Sequence, residues 1–340
     1  MTSHPPDSVL VYVGFDRIGD GFLKLPLVRG LRAAFPGARI TWLARREDSV
    51  YAGVLADLAH GLIDEIIENA GIGLSFGELF QGLSKGPLGG RRFDLIIDTQ
   101  RIFWTSLSLK RVPHDAFISP AARFLLSSKK PAKGYRFPKT MQRQLLDMLE
   151  LASGRDFPTP QTLDLDLNKD LRAEAARLLP EGPDYIGLAP GSGRPLKCWP
   201  LENFIELARH LESQGRVPVF FLGPKETGWI DEIRNALPEA RFPLQEEGVE
   251  RNHGFSPLLS VALSERVRAS VSNDSGAAHM FAVGGRPLVT LYGVTAPKKF
   301  MPMTDKLTIV RAQDFGGPEM RHIPLDAIKE ALEQAIESYP

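Results

Sequence analysis

The 340 residues contain one cysteine, Cys198. Neither an intrachain disulfide nor a cysteine-based metal cluster can form, which suits a reducing compartment. An excess of either charge is also missing, because 41 Lys and Arg balance 41 Asp and Glu. A neutral total gives no bulk support for nucleic-acid binding, so no nucleic-acid partner is expected. No apolar run approaches the ~20 residues of a membrane-spanning helix. The opening MTSHPPDS has no basic region followed by an apolar stretch, so no secretory signal is expected either. These absences point to a cytoplasmic protein. They leave room for a peripheral contact at the inner face of the cytoplasmic membrane, since a surface patch needs no spanning helix. Lys129, Lys130 and Lys133 could meet an anionic lipid surface, although a solvated loop is the simpler account.

Several catalytic signatures are lacking too. There is no HExxH, no DxD after a suitable strand and no GxxxxGK ahead of Ser or Thr; GxSxG spacing occurs at Gly73–Gly77 and Gly82–Gly86, but neither directly follows an expected strand as a nucleophile turn requires. Metalloprotease, kinase-like and hydrolase readings lose support, and a metal-independent mechanism with no metal site and no cofactor gains it. The glycine fingerprint of a dinucleotide-binding oxidoreductase is not convincing either.

What is present is an alternation of short apolar runs and amphipathic stretches. Val9–Gly14, Arg39–Ala44, Ile63–Glu68, Phe93–Asp98 and Asp115–Ser119 read as strands. Helices are expected over Phe22–Phe35, where Pro26 could set a start near Leu25 or a kink, and at Tyr51–Ala59, Leu74–Ser84 and Thr140–Ala152. SGRDFPTPQT breaks the pattern. A second series follows, with strands at Tyr185–Pro190, Val217–Gly223, near Arg241, Val267–Asp274, Pro287–Tyr292 and Leu307–Val310. Its helices are expected at Leu171–Leu179, Leu201–Gln214, Glu226–Leu237, Pro257–Leu263, Gly276–Val283 and Pro324–Ser338. The pattern predicts two doubly wound α/β domains, residues 1–165 and 166–340, facing a central cleft. The terminal helix could pack back on the first domain.

In open parallel sheets ligands bind beyond the carboxyl ends of the strands. Five loops there carry candidate chemistry. The first runs from Gly14 to Gly21, where Asp20 could take a proton from a substrate hydroxyl or simply cap a helix. In the second, Ala189 to Pro200, Ser192 and its glycine neighbours leave backbone N–H groups open to an oxyanion, and Lys197 adds a charge that could equally be solvated. The third holds Asp274, Ser275 and Gly276 at a helix start, an anion site by construction or an ordinary cap, with His279 in the first turn as a contact or a buried structural residue. Glu226 could bind ribose hydroxyls or serve as a helix-start acid. On the first domain, Asp98, Gln100 and Arg101, together with Arg17, could hold an acceptor.

These loops resemble those of glycosyltransferase family 9, the ADP-heptose:lipopolysaccharide heptosyltransferases and their relatives. The likeness is strongest in IGDGFLKLPLVRGLRAAFPGARITWLARRE, PGSGRPLKCWPLENFIELARHL and VSNDSGAAHMFAVGGRPLVTLYGVTAP, in that order along nearly the whole chain. The resemblance implies a GT-B fold and an inverting transfer of heptose from ADP-heptose to a lipopolysaccharide-core or related glycan acceptor, lipid-linked or oligosaccharide. It implies that Asp20 is the general base, that Lys197 contacts the donor phosphates, and that Asp274, Ser275 and Gly276 lie at the donor site with His279 one turn along. Glu226 matches the acid at the adenosine ribose. Two departures bear on donor identity and acceptor class more than on fold. Ala189-Pro190-Gly191 stands where the family usually has His-Pro-Gly, and Ala277-Ala278 where it commonly has Gly-Pro. A transferase using another nucleotide sugar, or a non-catalytic sugar-nucleotide binding protein, are the alternatives.

Overall fold

The computed structural model describes residues 4–45, 47–72 and 88–339. The chain divides into two compact units, Met1–Thr159 and Pro160–Pro340. The first carries five parallel strands: β1 Ser8–Val13, β2 Arg39–Ala44, β3 Glu65–Ile67, β4 Phe93–Asp98 and β5 His114–Ile118, in the order β3-β2-β1-β4-β5. Val9 lies opposite Ile40 on one side and Leu95 on the other. Every residue from Val9 to Val13 is buried. This run of apolar residues without alternation is what a central parallel strand covered on both faces requires.

The helices of this unit are α1 Ile18–Ala34, α2 Ala56–Ala59, α3 Phe103–Lys110 and α4 Met141–Ser153. Three of them differ from the sequence expectation. Helix α1 begins at Ile18, ahead of Phe22 and of the alternative start near Leu25, and carries Pro26 inside it. Pro26 lacks the N–H that would bond the Phe22 carbonyl. Burial of Phe22, Leu23, Leu25, Leu27, Val28 and Leu31 offsets that loss. The stretch Tyr51–Ala59 is helical only over α2. Ahead of it the Val50 N–H bonds the Asp16 carbonyl at 3.2 Å and the Leu55 N–H bonds the Val50 carbonyl at 2.8 Å, so the chain there turns and buries Tyr51. The expected Leu74–Ser84 helix lies outside the described residues. Helix α3, FWTSLSLK, has too many hydroxyl residues to signal itself, yet Thr105, Ser106 and Ser108 are buried.

After β5 the backbone makes an unusual turn. Ala122, Arg123 and Phe124 have φ of 47°, 54° and 63°. Side chains with a Cβ lose about 1–2 kcal/mol each in this left-handed region. Phe124 is buried and stacks on Phe137 at 5.6 Å, with Tyr135 edge-on. That packing compensates the strain.

The second unit repeats the plan with a different order. Strands β6 Tyr185–Ala189, β7 Val217–Phe220, β8 Ala269–Asn273, β9 Leu288–Tyr292 and β10 Leu307–Arg311 are all parallel, in the order β10-β9-β8-β6-β7. The chain near Arg241 adds only one bridge, to Val219. Around the sheet lie α5 Lys169–Leu178, α6 Leu201–Ser213, α7 Ile230–Ala236, α8 Val249–His253, α9 Pro257–Ser264, α10 Gly276–Val283 and α11 Leu325–Ser338. The terminal helix α11 packs within this unit, where Ile328, Leu332 and Ile336 join Val271, Val289 and Leu291 in one core. Two parallel sheets, each flanked by helices, make a GT-B-like pair of Rossmann-type domains.

Strand order reverses between β1 and β4 in the first sheet and between β6 and β8 in the second. Crossovers leave opposite ways at such points and open a crevice at the carboxyl edge. Helix α1, which springs from the first of these points, is seated by a close approach to α4. A Cβ on Gly30 would lie 2.6 Å from Leu149 Cδ2. Gly30→Val is therefore expected to cost about 1–3 kcal/mol through overpacking. Urea denaturation checks this, and an unchanged midpoint would contradict a tight α1–α4 seam.

Candidate functional site

At the first reversal, the loop from Gly14 to Arg17 is built on a buried ion pair. Asp16 accepts from Lys24 Nζ at 2.9 Å through Oδ1, and from Trp42 Nε1 at 3.0 Å and the Ser49 hydroxyl through Oδ2. Both charged side chains are almost wholly removed from water. Lys24 also donates to the Phe15 carbonyl. Tyr51 donates to the Gly21 carbonyl at 2.6 Å and so ties the first turn of α1 to the same core. No sequence motif announces this node. Its one signal was Lys24, the only charge within the apolar run FLKLPLV.

Asp20 stands on this support. It is not the helix cap, since Arg17 occupies that position and makes no side-chain cap bond. Asp20 lies three residues further in, and its carboxylate accepts from the Arg17 backbone. This is the acidic half of a capping box. Burial raises its pKa, while Lys24 one turn on and the Arg17 hydrogen bond oppose the rise. A half-buried carboxylate with a raised pKa is chemically able to act as a base. Arg17 itself is exposed and pairs with Glu47 at 2.9 Å.

Across the reversal, Asp98 is fully buried. It accepts from the Gln100 N–H at 2.8 Å, the Ser119 hydroxyl at 2.8 Å and the Ser106 hydroxyl. With no face open to solvent, Asp98 shapes the turn that carries Gln100. The Gln100 side chain packs on Gly14, where a Cβ would displace it. Arg101 is exposed and lies over the Phe137 ring at 3.9 Å.

The second unit brings its candidates together along neighbouring strand ends. Lys197 Nζ donates to Asp274 Oδ2 at 2.6 Å, and the Thr295 hydroxyl donates to the same oxygen at 2.6 Å. Asn273 is a fully buried staple, donating to the Pro190 carbonyl at 2.7 Å and accepting from the Trp199 N–H at 3.0 Å. Trp199 Nε1 then reaches the Ile323 carbonyl at 2.9 Å. These bonds fix the Ser192–Lys197 loop against β8. Ser275 caps α10 by backbone only, and its hydroxyl is buried without a partner, as are those of Ser192 and Tyr292. Burial and nearby Asp274 raise the Tyr292 pKa. Ala277 and Ala278 keep the α10 entrance narrow in side chain, and the first N–H groups of a helix have no intrahelical partner. His279 is buried, which lowers its pKa to about 4 and leaves the ring neutral.

One strand further along, the Glu226 carboxylate lies between two glycine backbones. A Cβ on Gly191 would sit 2.6 Å from its Oε1, and one on Gly223 would sit 2.8 Å from its Oε2. Burial raises the pKa of Glu226, against hydrogen bonds from the backbone of Gly223 and of Glu226 itself. Beyond it opens a cavity of about 850 Å³ lined by Leu222, Thr227, Leu244, Gln245 and Phe255 among others. Gln245 Nε2 donates to the Leu222 carbonyl at 3.0 Å, and its Oε1 is buried without a partner. Buried polar atoms are nearly always paired. The Ser192, Ser275 and Tyr292 hydroxyls and the Gln245 amide oxygen therefore have hydrogen-bonding capacity to spare at this edge. Among the described residues no group of three or more His, Cys, Asp or Glu is arranged to hold a metal ion.

Two measurements test this framework. Asp16→Ala leaves Lys24 buried and unpaired and is expected to cost about 3–5 kcal/mol of stability, with Lys24→Met in the same chain restoring part of it. Additive losses in the double variant would sink the pairing. Burial pushes Asp98 from 3.8 up to about 6. The unfolded chain then gives up this proton first, so stability falls as pH rises between those values. The unfolding free energy of wild type minus Asp98→Asn should fall across that window and stay flat above it; a pH-independent difference would contradict the burial.

The Glycosyltransferase family 9 (heptosyltransferase) model matches residues 84–323. Lipopolysaccharide heptosyltransferase 2 of Salmonella typhimurium is 27% identical over 323 residues, covering 89% of this chain and 87% of that protein. Lipooligosaccharide heptosyltransferase 2 of Haemophilus influenzae is 39% identical over 135 residues, 39% of this chain and 38% of that protein. A family 9 glycosyl transferase from Veillonella parvula has the same fold with a TM-score of 0.71 at 19% identity, over 98% of both chains. The E. coli ADP-heptose lps heptosyltransferase II follows with a TM-score of 0.63 at 22% identity, over 97% of this chain and 99% of that one. No described helix is long and apolar enough to cross a membrane. With a family match across well over half its length, the chain belongs to glycosyltransferase family 9 and is a heptosyltransferase-like enzyme.

Proposed function

We propose that the protein transfers heptose from ADP-heptose to a lipopolysaccharide-core or related glycan acceptor, with inversion at the anomeric carbon. The observation that carries this reading is the row of groups along the second sheet: Lys197 held at the mouth by Asp274, the α10 entrance with the unpaired Ser192, Ser275 and Tyr292 hydroxyls, then Glu226, then the cavity of mixed polar and apolar lining. It spans about three strand spacings, roughly 14 Å. A nucleoside diphosphate laid along it would set its phosphates at Lys197 and α10, its ribose at Glu226 and its base in the cavity. The unpaired Gln245 Oε1 suits the exocyclic amine of adenine.

In the reaction the acceptor hydroxyl attacks the anomeric carbon while Asp20 takes its proton. The bond from that carbon to the diphosphate oxygen breaks, and ADP leaves with the electron pair. Lys197 keeps donors to spare beside Asp274, since an ammonium has three. Its charge and the α10 dipole stabilise the departing diphosphate. The neutral His279 ring packs beneath without adding charge. Arg17, Gln100 and Arg101 serve the acceptor side, and Asp98 positions Gln100.

Turnover with a panel of nucleotide sugars and lipopolysaccharide-core acceptors tests the assignment. ADP-heptose is expected to support transfer, and Asp20→Asn to lower turnover about 10²–10⁴-fold with ADP affinity kept. Lys197→Met should instead weaken ADP about tenfold or more. Full turnover in Asp20→Asn would remove Asp20 from the chemistry. Transfer from another nucleotide sugar only would keep the mechanism and change the donor. Binding of nucleotide with no transfer to any acceptor would favour a binding protein.

A further inference from the structure

The chain is electrically neutral as a whole, but its charge is not evenly spread. Residues 101–140 hold nine Lys or Arg and a single acid, Asp115. Arg92 already pairs with that acid. Arg123, Lys130, Lys133, Arg136 and Lys139 have no ion-pair partner among the described residues. The same segment exposes large apolar side chains: Ile102 is 45% exposed, Trp104 54% and Leu125 61%.

The fold brings these two properties onto one surface. The left-handed turn at Ala122–Phe124 buries Phe124 and turns Arg123 and Leu125 outward. Phe124 stacks on Phe137, the neighbour of Arg136, and the Arg101 guanidinium covers the far ring. Ile102 and Trp104 follow Arg101 directly. The cluster is pinned from below, because Tyr135 donates to Asp147 on α4 at 2.5 Å. A strained backbone held in place by an aromatic stack, with its outward residues unused by the core, is a feature of functional surfaces.

We infer that this face of the first unit, centred on Arg101, Ile102, Trp104, Arg123, Leu125 and Arg136, docks on an anionic lipid bilayer. Apolar and basic side chains interleaved in this way suit the bilayer interface. Trp, Leu and Ile enter the headgroup boundary while Arg meets lipid phosphates. A soluble polyanion would use the arginines and give nothing for exposing Leu125 and Ile102. Arg101 is shared with the proposed acceptor side, whereas Ile102, Arg123, Leu125 and Arg136, the positions varied below, have no assigned part in the transfer.

Sedimentation with vesicles of phosphatidylcholine, with and without phosphatidylglycerol, tests it in the absence of donor and acceptor. Wild type is expected to bind the anionic vesicles, less so in high salt, and to ignore the neutral ones. Arg123→Gly suits its positive φ and so keeps the fold; it should weaken binding about fivefold. Arg123→Glu with Arg136→Glu should weaken it at least about 25-fold. Ile102→Ser with Leu125→Ser should cost about tenfold or more, with thermal midpoints close to wild type. Equal binding to both vesicle types, or none, would overturn the inference. So would anionic binding that the Ser pair leaves untouched and heparin abolishes, which would point to a polyanion site.

Discussion

An all-parallel sheet sends every strand out through the same edge. Nothing else in this protein has as wide an effect on where chemistry can occur. Helices return the chain to the far edge each time, so the carboxyl edge collects loops and helix entrances while the other edge collects connections. Where the strand order reverses, the neighbouring crossovers leave in opposite directions and the edge stays open. The first sheet reverses between β1 and β4, the second between β6 and β8. Asp20 and Gln100 follow from the first reversal, Lys197 and Asp274 from the second.

Both reversals carry a lysine–aspartate pair, and the two pairs do different work. Lys24 and Asp16 are sealed from water, and Trp42 and Ser49 take up the remaining capacity of the carboxylate. Breaking such a pair costs more than making it gained, so it acts as a fixed peg under the α1 entrance. Lys197 and Asp274 are only partly buried and stand beside hydroxyls with no partner. Their pairing holds the lysine in place without exhausting it. The first pair gives Asp20 a rigid seat, and the second holds Lys197 where it still has donors to spare.

Much of this was legible in the sequence, for physical reasons that differ from place to place. The core strands declared themselves because a parallel strand buried on both faces carries an apolar run without alternation, as in VLVYV and the Leu95–Ile97 centre of FDLIID. The carboxyl-edge loops stood out through their glycines, and Gly191 and Gly223 indeed leave room for the Glu226 carboxylate between two backbones. Helix α3 was hidden because its Thr and Ser residues are buried, with Ser106 donating to Asp98, against the usual meaning of Ser and Thr. For the same reason Asp98 read as an open site group and proved to be a buried one. The Asp16 node was out of reach, since Trp42 and Ser49 meet it only through long-range folding. Pro26 left a start near Leu25 open, and the buried residues on both sides of it hold the helix through that position.

The central claim is that the donor nucleotide lies along the carboxyl edge of the second sheet. A crystal structure with ADP tests it most directly. The account expects the terminal phosphate within hydrogen-bond distance of Lys197 Nζ and the α10 backbone, the ribose on Glu226, and the adenine amine on Gln245 Oε1. ADP bound to the first unit, or bound to the second with its phosphates away from Lys197 and α10, would contradict it.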